Sequence, residues 1–168
     1  MILKPQDILV LLKLAILDSK NWSYASLAKE LFMSQSEVHA GIQRATISRL
    51  YSQPDQRPII SNLEEFLIHG IKYSFPTELG TKTRGIATSY GASPLKELLV
   101  QEKDLPPVWP YSKGNIQGIS FSPLYKSVPQ AAQEDNKLYQ LLTIIDALRE
   151  GRVRERKIAI QELQHRIY

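Results

Sequence analysis

Gln35, Ser36, His39, Gln43 and Arg44 fall close together in the chain, at intervals that bring them to one side of a helix. Amides, a hydroxyl, an imidazole and a guanidinium are the groups that read base edges in a DNA major groove. A glutamine amide pairs bidentately with adenine, and an arginine takes guanine or a phosphate. Ser23, Ser34 and Arg57 are of the types that hold phosphates and so fix register rather than sequence. The residues that catalysis would need are missing or scattered. The chain has no cysteine, which excludes disulfides, zinc–thiolate sites and thiol chemistry. His39, His69 and His165 have no paired-ligand spacing, so no metal site is expected. Glu64 and Glu65 point different ways from a helix. No nucleophile–base pair or phosphate loop is legible, and neither an enzyme nor a cofactor is expected.

The candidate readers need a buttress. Trp22 stands before Ser23, which can cap a helix carrying Leu27, Ala28 and Leu31 inward, with the indole packed over its first turn. That helix ends at Phe32-Met33. Ser34-Gln35-Ser36-Glu37 then has the capping-box pattern, in which Ser34 accepts from a free amide and Glu37 reaches back to the Ser34 amide. Val38 and Ile42 form the apolar back of the second helix. Ala28 is the small residue on which two helices can cross, so the requirements of a helix-turn-helix are met together.

The segment LAKELFMSQSEVHAGIQRA resembles the DNA-binding part of winged helix-turn-helix bacterial regulators, broadly of the MarR type, which typically read LAxxLGMSxxxVxxxIxRL. The likeness runs over about residues 5–60 and is carried by Leu27, Ala28, Leu31, Met33, Ser34, Val38, Ile42 and Arg44. It implies a β-hairpin wing after the second helix. Residues 53–58 would supply a short one, with Arg57 as its cation. The family's turn glycine is replaced by Phe32, where a left-handed backbone would cost roughly 1 kcal/mol or more.

Around this unit, Pro5 suits a first helical turn, and Ile8, Leu11, Leu12 and Ala15 recur at helical spacing. Leu9, Leu14, Ile16 and Leu17 carry the apolar surface onto other faces. The helix therefore belongs in a core, a dimer interface, or both. It is too short to span a bilayer, and Asp7 and Lys13 interrupt it, which points to a cytoplasmic bacterial protein. The prolines of residues 52–58 end the second helix, a short strand is expected at Pro58-Ile59-Ile60-Ser61, and Leu63, Phe66, Leu67 and Ile71 mark another helix. Residues 77–94 read as an irregular loop, and 95–103 as a short helix. Lys82 and Arg84 within that loop could cradle an anion, but their glycine spacing fits no phosphate loop. Trp109 and Tyr111 lie in a proline-rich strand expected to pack in the core. Lys113-Gly114-Asn115 is expected to turn a hairpin between Val108-Trp109 and residues 116–121. Leu138, Leu141, Leu142, Ile145 and Leu148 stripe a long helix that Gly151 can cap. A last helix is expected to bury Val153, Ile160, Leu163 and Ile167. The charge run 149–157 between them reads as a solvated face.

The sequence thus predicts a mainly α protein of 168 residues. A winged helix-turn-helix domain is expected at residues 1–75, an irregular loop or hairpin segment at 76–132, and C-terminal helices at 133–168 for dimerisation or partner binding. The function expected is sequence-specific binding of double-stranded DNA, as a homodimer and as a transcriptional repressor. The alternative is a protein-interaction module, such as the antitoxin-like partner of a two-gene system acting through residues 77–168. Charge permits the first reading without demanding it. The net charge is +4, and residues 1–50 hold six Lys/Arg against four Asp/Glu.

Overall fold

The computed structural model describes residues 1–17, 21–100 and 104–168. Two expectations extend beyond those residues, namely the polar break after the first helix and the end of the 95–103 helix. The fold is mainly helical, with a two-stranded sheet and a three-stranded sheet. Helices α1 (Pro5–Ile16), α2 (Tyr24–Leu31) and α3 (Gln35–Ile47) come first. A small antiparallel hairpin follows, β1 (Tyr51–Ser52) with β2 (Arg57–Pro58), and then α4 (Ile60–His69) and α5 (Ile71–Ser74). The short strand foreseen at Pro58–Ser61 is therefore confined to its first residue. The single helix foreseen after it breaks at Gly70.

The remainder is β3 (Leu79–Ala87), a 3-10 turn, α6 (Leu95–Leu98), β4 (Pro107–Pro110), β5 (Ile116–Phe121), α7 (Val128–Glu134), α8 (Asn136–Glu150) and α9 (Val153–Ile167). None of the helices among the described residues is long and apolar enough to cross a membrane.

α1 is enclosed on every side. It packs against α3, α8, α9 and β2, and Ile8, Leu9, Leu11 and Leu12 are fully buried. The stripe of α8 is covered as completely, with Leu138, Leu141, Ile145 and Leu148 at 0% exposure. These two surfaces were the physical ground for expecting a homodimer. The ground is gone, because one chain buries both in a single core that also takes in Trp109 and Phe121. Lys13 on α1 reaches Asp135, the cap of α8, at 2.5 Å, so the two helices are also tied at their ends.

Residues 77–94 are not the irregular loop that their composition suggests. β3 runs through them and pairs antiparallel with both other strands, with Gly85 opposite Pro110 on one side and Ile116 on the other. β4 and β5 consequently run parallel, Pro107 beside Ile119, instead of forming the expected hairpin. Two glycines let this three-stranded ring close. A Cβ on Gly85 would lie 2.0 Å from the Trp109 carbonyl oxygen, and one on Gly118 would lie 2.3 Å from that of Pro106. Trp109 is buried, as expected of a core residue. Beneath the ring lies Asp146 of α8, wholly buried. It accepts from Thr88 Oγ1 at 2.6 Å, Trp109 Nε1 at 2.7 Å and Arg149 Nη1 at 2.9 Å.

The basic run 149–157 is not one solvated face. Arg149 is buried and also donates to the carbonyls of Phe75 and Ser122, while Arg156 donates to those of Leu148 and Ile68. The two arginines thereby close helix and loop ends that would otherwise leave carbonyls unsatisfied. In α9 the buried side is Glu155, Ala159, Leu163 and Ile167, and Val153 is exposed, contrary to its expected place.

Candidate nucleic-acid interface

The α2–α3 unit is capped at both starts. Ser23 Oγ accepts from the Ser26 amide at 3.0 Å, and Ser26 Oγ accepts from the Ser23 amide at 3.0 Å. Ser34 Oγ accepts from the Glu37 amide at 3.1 Å and lies 3.2 Å from Ser36 Oγ. The second half of the expected capping box is not formed. Glu37 turns away from the Ser34 amide and accepts from Gln6 Nε2 at 2.9 Å and Arg44 Nη2 at 2.8 Å. A charged partner outcompetes a single backbone amide. The hydrogen bond from Gln6, aided by Arg44, holds the Glu37 carboxyl below its usual range.

Phe32, between the two helices, has φ 54° and ψ 44°, the left-handed conformation that a glycine adopts without strain. Its ring is 44% exposed, so packing returns little for the strain. Phe32→Gly is expected to stabilise the fold by about 1 kcal/mol, the relief of left-handed strain less the added freedom of the unfolded chain. Urea denaturation would measure it. A loss of stability would mean that the ring's contacts outweigh the strain.

α3 divides cleanly. Val38, Gly41, Ile42, Arg44 and Ala45 are buried, and Gln35, Ser36, His39 and Gln43 are exposed. His39 is steadied by the Tyr24 ring, with centroids 5.1 Å apart. The side-chain amides of Gln35 and Gln43 make no hydrogen bond within the described residues, so both are free to meet a ligand.

Arg44 does not belong with them. It is 6% exposed and its guanidinium grips Asp7 of α1, Nε to Oδ2 at 2.8 Å and Nη2 to Oδ1 at 2.7 Å. The hydrogen bond to Asp7 raises its pKa further above an already high value. The expectation that Arg44 contacts a base or phosphate is therefore corrected: it clamps α3 to α1. Gly41 makes room for the clamp, since a Cβ there would lie 2.9 Å from Asp7 Oδ1.

Two sequence signals pointed this way. A charge inside an otherwise apolar helix needs a partner once buried, and a glycine inside a helix, which costs about 1 kcal/mol, marks a place where another group comes close.

With Glu37 and Arg44 engaged internally, the outer face of α3 carries no charge. The cations beside it come from elsewhere. Arg57 is exposed on β2, at the hairpin expected to act as a wing. Arg49, absent from the sequence-based candidates, is exposed just past α3, with φ 62° and its carbonyl accepting from Asn62 Nδ2 at 2.8 Å. The hairpin is tied back to α2 through Trp22, whose Nε1 donates to the Gln56 carbonyl at 3.5 Å and whose ring meets Tyr24 edge-on. Ser23 and Ser34 remain exposed, although their hydroxyls are already used in capping. No group of residues able to hold a metal ion occurs among the described residues. Neither family models, curated proteins nor solved structures yield a match to this chain.

Proposed function

We propose that the chain binds double-stranded DNA in a sequence-specific way, as a transcriptional regulator of the winged helix-turn-helix kind. The observation that carries the proposal is the outer face of α3. Gln35, Ser36, His39 and Gln43 are exposed together on a helix whose other side is clamped to α1, and both glutamine amides lack internal partners. Rigid backing under unspent donors and acceptors is what base-edge readout requires. Arg49 and Arg57 supply the phosphate contacts that α3 itself does not, and the β1–β2 hairpin serves as a short wing.

This assignment sets the salt dependence. With two exposed cations beside the face, the logarithm of affinity should fall with the logarithm of salt with a slope of about −2 for each bound chain. Arg57→Ala should weaken every sequence alike and reduce that slope by about one unit. Gln43→Ala should instead relax preference at one base position, by about 1–3 kcal/mol, with the slope unchanged. Fluorescence anisotropy on the duplex upstream of the gene, repeated across salt concentrations, separates the two behaviours. Absence of binding at low salt would overturn the proposal.

A further inference from the structure

The three-stranded ring is closed at one end only. β5 pairs with β3 at Leu79 and, after a shift of register, from Lys82 to Gly85, but β4 meets the opposite edge of β3 only from Gly85 to Ala87. Next to that short pairing, the Tyr111 amide donates to the Arg84 carbonyl at 3.1 Å. The Arg84 carbonyl therefore points away from β5. By the alternation of an antiparallel ladder, the Lys82 amide and carbonyl point the same way. Beyond Arg84 this edge has no strand against it among the described residues, and Leu79, Gly80, Thr81 and Lys82 are all exposed. Leu79 in particular is 55% exposed, an apolar side chain at the open end of a strand.

Apart from the exposed Glu78 just before Leu79, the charge along this edge is positive. β3, β4, β5 and the connection from 111 to 115 contain Lys82, Arg84 and Lys113 and no aspartate or glutamate. Lys82 and Arg84 are two apart and share one face of the strand. A second copy of this chain laid antiparallel on the edge would set cations against cations, the arrangement by which edge lysines discourage self-pairing. The same pair of charges attracts an acidic chain. Phosphates could take the outward amide of Lys82 but would leave its carbonyl and the apolar Leu79 unused, whereas an extended peptide uses all three.

We propose that the open edge of β3 accepts an extended, acidic segment of a partner protein as an added strand. Its backbone bonds to Lys82, its carboxylates face Lys82 and Arg84, and an apolar residue covers Leu79. This is strand addition, in which main-chain bonds give affinity and alternate side chains give selectivity. The inference is independent of what α3 binds.

The test uses the full chain and two blocked synthetic peptides, one alternating valine with glutamate and one alternating valine with lysine. Their effect on exchange of the Lys82 backbone amide is followed by NMR. The glutamate peptide should slow that exchange and the lysine peptide should not. Lys82→Glu together with Arg84→Glu should weaken the glutamate peptide by about tenfold or more, with circular dichroism unchanged. The proposal is overturned if the glutamate peptide leaves the Lys82 amide as it was, or if it binds the charge-reversed variant as tightly. Slowing on raising the protein concentration alone would assign the edge to a second copy. Slowing by a DNA duplex and not by the glutamate peptide would assign it to nucleic acid.

Discussion

Arg44→Ala is expected to destabilise the protein by about 3–5 kcal/mol, the range found when one partner of a buried ion pair is removed. Asp7 is fully buried, and its carboxylate is held by Arg44 through two hydrogen bonds and by the Lys4 amide at 2.8 Å. Truncating Arg44 strands that charge in an apolar core and leaves Glu37 with Gln6 as its remaining partner, so α3 loosens from α1. Adding Asp7→Asn to Arg44→Met should recover a large part of the loss, because an amide still accepts from Lys4 and leaves no buried charge. Urea denaturation of the three proteins checks both statements. If Arg44→Ala melts like the wild type, the guanidinium is not the clamp described here. DNA binding by Arg44→Ala carries little information, since any loss of affinity would follow the loss of fold.

Asp146→Leu should cost a similar amount, about 3–5 kcal/mol, by a different route. Here the stranded charge is Arg149, and the Thr88 hydroxyl and Trp109 indole lose their acceptor as well. Burial pushes the Asp146 carboxyl up, against the pull of Arg149 and its two neutral donors. Arg149→Met added to Asp146→Leu should recover only part of the loss, because Arg149 also closes the carbonyls of Phe75 and Ser122. The contrast between the two pairs is measurable. Neutralising Asp7–Arg44 should recover a larger share of its loss than neutralising Asp146–Arg149. Near-ultraviolet circular dichroism of Trp109 would report the local damage, and an unchanged spectrum with unchanged stability would remove Asp146 from its proposed role.

The parts legible in the sequence are those fixed by neighbours in the chain. Pro5, Ser23 and Ser34 mark helix starts through local hydrogen bonding and geometry, and Leu27, Leu31, Val38 and Ile42 mark buried faces through period alone. Phe32 shows how far such reading extends, since its left-handed backbone follows from a comparison with one motif.

What escaped detection is set by residues distant in the chain. β3 has no alternation to reveal it, because its first half is exposed on both faces and its second half is buried, so its Gly, Thr and Lys residues read as a loop. Only pairing with β4 and β5, 20 or more positions onward, makes it a strand. Arg44 sits beside Gln43 in sequence yet faces the opposite way, because Asp7, 37 positions earlier, is packed behind α3. The apolar surfaces that suggested a homodimer are buried for the same reason. The apolar surplus of α1 is absorbed by α8 and α9 of the same chain, more than 100 positions away. At the candidate interface the exposure of Gln35, Ser36, His39 and Gln43 was legible, whereas Arg44, expected beside them, is buried, and Arg49 is the arginine exposed at the end of α3.

The outer face of α3 is the surface proposed to meet DNA. The most direct test compares the wild type with a Ser36→Glu, Gln43→Glu double variant on the duplex upstream of the gene, by anisotropy at low salt. Both side chains are exposed, so the variant should melt within about 0.5 kcal/mol of the wild type. Two carboxylates set against a phosphate-lined groove should weaken binding by about tenfold or more, while the wild type binds and leaves a footprint. A wild type that binds no duplex, or a double variant that binds as tightly as the wild type, would mean that α3 does not read DNA.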